Sequence, residues 1–215
     1  MKLLEIIDTK IDYSSDPKFT VKSSKVGSGN YSDVFDSDEW SVSKMMVNGD
    51  YIENPKDPYT FYINYLIENK ISTSNPFFPR VYNVHKKITP EHPHLSQYSF
   101  QIERLVHLKD LSTESLKSLE NITGIKNKSS NKNYIIDNIV HLIGLTFFGI
   151  YNDNLSDNEN LVEAVSILKD VKKEYYKKSK NNCYFDLHKN NFMARIGNTG
   201  PQLVFTDPFL GNEEL

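Results

Sequence analysis

The sequence predicts an α+β fold in two lobes, a β-rich N-terminal part and a reduced, mainly helical C-terminal part. Three observations lead there. Short alternating segments separated by turn residues fill the first third, and longer apolar patterns with helical spacing follow His107. The length of 215 residues is long for one small domain and short for two. We therefore read residues 1–215 as a single domain, with an N-lobe at about 1–105 and a C-lobe at about 106–215.

Residues 19–22 and 31–35 read as strands flanking Gly27-Ser28-Gly29, and the acidic turn at 36–39 leads into a third strand at 40–46. Asp57 as N-cap and Pro58 at the first helical position predict a helix to about Lys70, with Phe61, Tyr62, Tyr65 and Leu66 on its apolar face. Pro76 and Pro79 bracket a return to extended chain, with strands at 81–84 and 98–102. Helices are expected from Thr113 to about Gly124 and, strongly apolar, from Tyr134 to Tyr151. Ser156 with Glu159 forms a capping box opening a further helix to about Lys178, whose terminal lysines complement the helix dipole. Strands at 191–194 and 202–205 close the pattern.

Composition excludes several classes. Apolar residues at 38%, with 13 Tyr and 12 Phe, supply a core and rule out disorder for the bulk of the chain. A net charge of -3 has the wrong sign for a protein that coats nucleic acid by neutralising phosphates. The lone Cys183 excludes a disulfide framework and fits a reducing cytosol. No apolar run approaches the roughly 20 residues of a membrane span. The charged start Met1-Lys2-Leu3-Leu4-Glu5 does not read as a signal peptide. A cytoplasmic protein without membrane or nucleic-acid partners is expected.

Three segments carry chemistry. Val26-Gly27-Ser28-Gly29-Asn30 is a glycine-rich turn in which backbone amides can approach a polyphosphate, although it is equally an ordinary hairpin turn. A strand follows it, which excludes the helix-opening loops of P-loop and dinucleotide-binding folds. Lys44 stands 17 residues after Gly27, on the next strand, where it can reach phosphates as a point charge or face solvent. The sharpest segment is Asp186-Leu187-His188-Lys189-Asn190-Asn191, followed after a hairpin by Phe205-Thr206-Asp207-Pro208-Phe209. An acid, an Asn five residues on and a second acid form an oxygen-ligand set suited to Mg²⁺, with Asn191 and Asp207 as metal ligands and Asp186 taking the proton of an attacking hydroxyl.

Together these residues resemble the protein-kinase-like superfamily, and most closely the early Ser/Thr protein kinases of T-seven-like bacteriophages, over roughly residues 20 to 210. The resemblance implies a bilobal kinase fold, ATP and Mg²⁺ as cofactors, and host proteins as substrates in the cytoplasm of an infected bacterium. It places Gly27, Ser28 and Gly29 in the phosphate loop and Lys44 as the strand lysine. Ile102-Glu103-Arg104-Leu105 becomes the interlobe hinge, with Glu103 and Leu105 beside adenine. Asp186 is then the catalytic base, and Asn191 and Asp207 are the metal ligands. His188 stands where protein kinases place a phosphate-contacting lysine, and supports the loop or the phosphate.

The chain departs from the wider family at several points. Tyr184-Phe185 replaces the usual His-Arg, Asp207-Pro208-Phe209 replaces Asp-Phe-Gly, and Ser32 replaces the third loop glycine. The glutamate expected to pair with Lys44 is Glu68 or Glu53. Eight residues follow Asp207, so the usual activation segment and C-terminal helices are not expected. Two alternatives stay open: a small-molecule kinase of the aminoglycoside or choline kinase type, which the His188 choice favours, and a non-catalytic kinase-like binder of a host factor.

Overall fold

The computed structural model describes residues 25–28, 32–37, 40–46, 50–51, 57–89, 92–122, 129–148 and 158–211. The class is mixed α+β, with antiparallel sheets and, among the described residues, five α-helices. The chain divides into two compact units, one formed by residues 1–53 with 81–103 and the other by 54–80 with 104–215. The single cut expected near residue 105 is thus one of three crossings. Residues 54–80 go with the second unit because their aromatic side chains bury against its strands and its longest helix.

The first unit is a six-stranded antiparallel sheet of β1 (Lys25–Ser28), β2 (Ser32–Asp36), β3 (Ser41–Met46), β4 (Asp50–Tyr51), β5 (Val81–Thr89) and β6 (His92–Glu103). Its order is β1-β2-β3-β6-β4, with β5 also on β6. Strand alternation separates two faces. Tyr98, Phe100 and Ile102 of β6 are buried on one, and the rings of Tyr98 and Phe100 stack at 6.1 Å. Ser41 and Ser43 are buried on the other, opposite Glu103 and Gln101, and the Gln101 amide donates to the Ser41 and Ser37 hydroxyls at 2.9 and 3.2 Å. The β5–β6 hairpin extends well past the strands expected at 81–84 and 98–102. Its outer part, Lys86-Lys87 against Tyr98-Gln97, pairs through backbone without an apolar alternation that sequence could display.

The second unit holds α1 (Pro58–Glu68), α2 (Ile71–Ser74), β7 (Val106–His107), α3 (Thr113–Ile122), α4 (Lys132–Phe147), α5 (Glu159–Ser179), β8 (Cys183–Phe185), β9 (Phe192–Gly197), β10 (Gly200–Phe205) and β11 (Phe209–Gly211). α1 starts as expected: the Asp57 carboxylate accepts the Thr60 N–H at 2.6 Å and Pro58 opens the helix. α5 starts differently. Its N-cap is Asn158, whose side chain accepts the Leu161 N–H at 3.2 Å, so Glu159 is the first helical residue and not the third of a capping box. Ser156 lies outside the described residues. No helix among the described residues is long and apolar enough to cross a membrane.

An aromatic core fills the second unit beneath the C-terminal strands. Phe205 lies with ring centroids 5.4 Å from Phe192, 6.0 Å from Phe77, and 6.2 Å from Phe78 and Phe147. Tyr62 of α1 meets Phe209 at 5.8 Å, and Phe209 meets Phe185 at 5.6 Å. The segment 75–79 is mounted on this core by polar contacts. The Asn75 amide donates to the Asn160 carbonyl and the Glu163 carboxylate of α5 at 2.9 and 2.8 Å and accepts the Phe77 N–H. From β9, the Arg195 guanidinium donates to the Pro76 and Phe78 carbonyls, each at 2.9 Å. A planar fork of this kind holds two acceptors in fixed relation.

Candidate functional site

Two strand pairs frame the loops of the Asp186 segment. β8 pairs with β11 in the register Phe185↔Phe209, and β9 pairs with β10 in the register Phe192↔Phe205. Both ladders continue into the loops. The Asp186 N–H donates to the Pro208 carbonyl at 2.9 Å, and the Thr206 N–H donates to the Asn191 carbonyl at 2.9 Å. Loop 186–191 is therefore joined at both ends to the turn 206–208, and Asp186, Asn191 and Asp207 come together, each half-buried.

The first loop organises itself. The Asp186 carboxylate accepts the His188 N–H at 3.3 Å, the turn Lys189–Asn191 closes with Asn191 N–H to the His188 carbonyl at 2.9 Å, and the Asn191 amide donates to the Asp186 carbonyl at 3.1 Å. That last bond commits the amide NH₂ to the loop and leaves the Asn191 side-chain oxygen as the group able to face a ligand. His188 caps the turn: its Nδ1 accepts the Asn190 N–H at 3.3 Å, which puts the ring proton of the neutral imidazole on Nε2. The ring is exposed, so Nε2–H is a donor on the loop's outer surface. Lys189 pairs with Asp137 of α4 at 3.3 Å, both exposed.

These residues offer carboxylate and amide oxygens. Among the described residues, no group of three or more His, Cys, Asp or Glu side chains could hold a metal. An all-oxygen set of two carboxylates and one amide suits a hard cation such as Mg²⁺, which keeps several waters and needs few protein ligands, and it does not suit zinc. The nearby Cys183 is no alternative nucleophile, because burial pushes its thiol up to about 11 while Lys172 opposes the shift only partly.

In the first unit, Lys44 sits half-buried on β3, directly opposite Val34 of β2 and Phe100 of β6. Gly27 pairs with Val34, so Gly27, Val34, Lys44 and Phe100 form one row across four strands. At the strand spacing of about 4.8 Å, the Gly27 backbone lies roughly 10 Å from that of Lys44. The glycine-rich segment is not wholly a turn, since Gly27 and Ser28 belong to β1 and the register slips at Val26, a bulge that bends the strand. Gly29 lies outside the described residues, as does Glu53. Glu103 ends β6, buried, in the first unit, and Leu105 follows half-buried in the second. Glu68 ends α1 in the second unit, exposed, lining a groove with Asn69 and with Asp170 and Lys173 of α5.

Some supporting residues escaped the sequence reading. The Tyr62 hydroxyl donates to the Phe205 carbonyl at 2.8 Å, and the Phe205 N–H donates to the Phe77 carbonyl at 2.8 Å. Tyr62 was legible only as one apolar-face residue of α1. Arg195, a charge between the apolar Ala194 and Ile196, was the signal most open to notice. No family model matches the chain, and no curated protein matches it.

Proposed function

We propose that the chain is an ATP- and Mg²⁺-dependent phosphotransferase, a Ser/Thr protein kinase of the phage type that phosphorylates host proteins through a bilobal, kinase-like fold. The observation that carries this reading is the joining of loop 186–191 to turn 206–208 by backbone hydrogen bonds, which gathers Asp186, Asn191 and Asp207. Phosphoryl transfer asks little covalent chemistry of a protein; it needs phosphates held, a cation placed and a hydroxyl oriented.

Asn191 and Asp207 would hold Mg²⁺, which when bound neutralises charge on the phosphate oxygens. Asp186 orients the acceptor hydroxyl. As the acceptor oxygen bonds to the γ-phosphorus and the bond to the β–γ bridging oxygen breaks, the hydroxyl proton passes to the Asp186 carboxylate. The bond from the His188 N–H fixes that carboxylate's direction. The Nε2–H of His188 offers a further donor to phosphate. Lys44 contributes a point charge toward phosphate, and its aliphatic stem lies in the apolar row of Val34 and Phe100.

The test is incubation with γ-labelled ATP, Mg²⁺ and a bacterial lysate. Label on protein Ser or Thr is the expected result. Label confined to small molecules would replace the protein-kinase reading with a small-molecule kinase, and absence of transfer would leave a non-catalytic binder. In the same assay Lys44→Met, which keeps the stem, is expected to slow transfer by about 10²–10³-fold, as loss of a preorganised positive group does. Its stability should change by less than about 1 kcal/mol. Wild-type transfer by this variant would remove Lys44 from the phosphate site.

A further inference from the structure

Phe205 is the last residue of β10, two positions before Asp207, and its peptide groups are fixed from both sides. Its N–H donates to the Phe77 carbonyl and its carbonyl accepts the Tyr62 hydroxyl, both at 2.8 Å. The next N–H, that of Thr206, donates to the Asn191 carbonyl. The turn carrying Asp207 therefore leaves the sheet from the Phe205–Thr206 peptide, whose tilt is set by one side chain, Tyr62, at its carbonyl and one backbone group, the Asn191 carbonyl, at its N–H. Tyr62 is fully buried, its ring held between Tyr59 at 6.3 Å, Phe78 at 6.2 Å and Phe209 at 5.8 Å. Burial pushes its phenol well above the usual range, and coupling to Tyr59 and to the Asp207 carboxylate adds to that, so the hydroxyl stays protonated and remains a donor.

We propose that Tyr62 is a positioning residue for Asp207: through the Phe205 carbonyl, its hydroxyl sets the direction in which the Asp207 turn presents its carboxylate to the cation. This rests on the phosphotransferase reading, in which Asp207 is a metal ligand. Outer groups that orient a ligand commonly change metal affinity by 10–100-fold when removed. Acting through a carbonyl two residues away, Tyr62 belongs at the lower end of that range.

The experiment compares Mn²⁺ binding, read by electron paramagnetic resonance without nucleotide, in wild type, Tyr62→Phe, Tyr175→Phe and Asp207→Asn. Tyr62→Phe keeps the ring and removes the donor. Tyr175→Phe removes the hydroxyl of another buried tyrosine, one on α5, and controls for lost stability. Both are expected to melt roughly 2–8 °C lower. Only Tyr62→Phe should also bind Mn²⁺ about tenfold more weakly. Unchanged Mn²⁺ affinity in Tyr62→Phe, with Asp207→Asn impaired, would overturn the positioning role and leave the metal site standing. An equal loss in Tyr175→Phe would overturn it too, as a general stability effect. If wild type binds no Mn²⁺, or Asp207→Asn binds as wild type does, the metal-site reading fails and the positioning role fails with it.

Discussion

Asp186→Asn is expected to cut phosphoryl transfer by about 10²–10⁴-fold, the usual contribution of a positioned general base. The protein should stay folded. Asparagine preserves the side-chain oxygen that accepts the His188 N–H, and neither the bond from the Asp186 N–H to the Pro208 carbonyl nor that from the Asn191 side-chain amide to the Asp186 carbonyl involves the carboxylate. In the proposed mechanism, what is lost is the capacity to take a proton and the negative charge that draws the acceptor hydroxyl. Single-turnover transfer from γ-labelled ATP, with melting temperature recorded on the same samples, separates the chemical step from stability. Transfer above a tenth of the wild-type rate by a folded Asp186→Asn protein would mean that the proton goes elsewhere.

Phe205→Ala is expected to destabilise the protein by about 3–5 kcal/mol, the cost of emptying a well-packed aromatic site. Phe205 is fully buried, and its ring meets Phe77, Phe78, Phe147 and Phe192. Loss of those contacts loosens β10, the segment 75–79 and α4 together. The corresponding fall in melting temperature is roughly 6–20 °C for a chain of this size. Ile196→Ala provides the contrast: Ile196 stands largely exposed near the end of β9, and its truncation should cost no more than about 0.5 kcal/mol. Thermal unfolding followed by circular dichroism measures both. Similar small shifts for the two would show that Phe205 is not the centre of the core.

What could be read from the sequence was local. Asp57-Pro58 announces the start of α1 because cap and φ restriction are properties of adjacent residues. The spacing from Asp186 to Asn191 and on to Asp207 brackets a hairpin, so the gathering of those residues follows from short-range pairing. Tertiary arrangement was less visible. An amphipathic helix shows that it has an apolar face and not which strands receive it, so α1 was placed with the N-terminal strands although its face packs on Phe209 and Tyr175. The N-cap of α5 was misplaced because Ser156, Asn158 and Glu159 all favour helix starts, and Asn158 makes the cap. Tyr62 shows the limit most clearly. Its ring fits the helical period, but its hydroxyl bonds a carbonyl 143 residues away.

The most direct measurement is the melting temperature with ATP alone, Mg²⁺ alone and both together, in wild type and in Asp207→Asn. A ligand at a hundred times its Kd stabilises the folded state by about 2.7 kcal/mol. Wild type is predicted to show a rise with ATP and Mg²⁺ together that neither produces alone, and Asp207→Asn is predicted to lose it. No rise in wild type, or the same rise in Asp207→Asn, would contradict a Mg²⁺-dependent nucleotide site built on Asp186, Asn191 and Asp207.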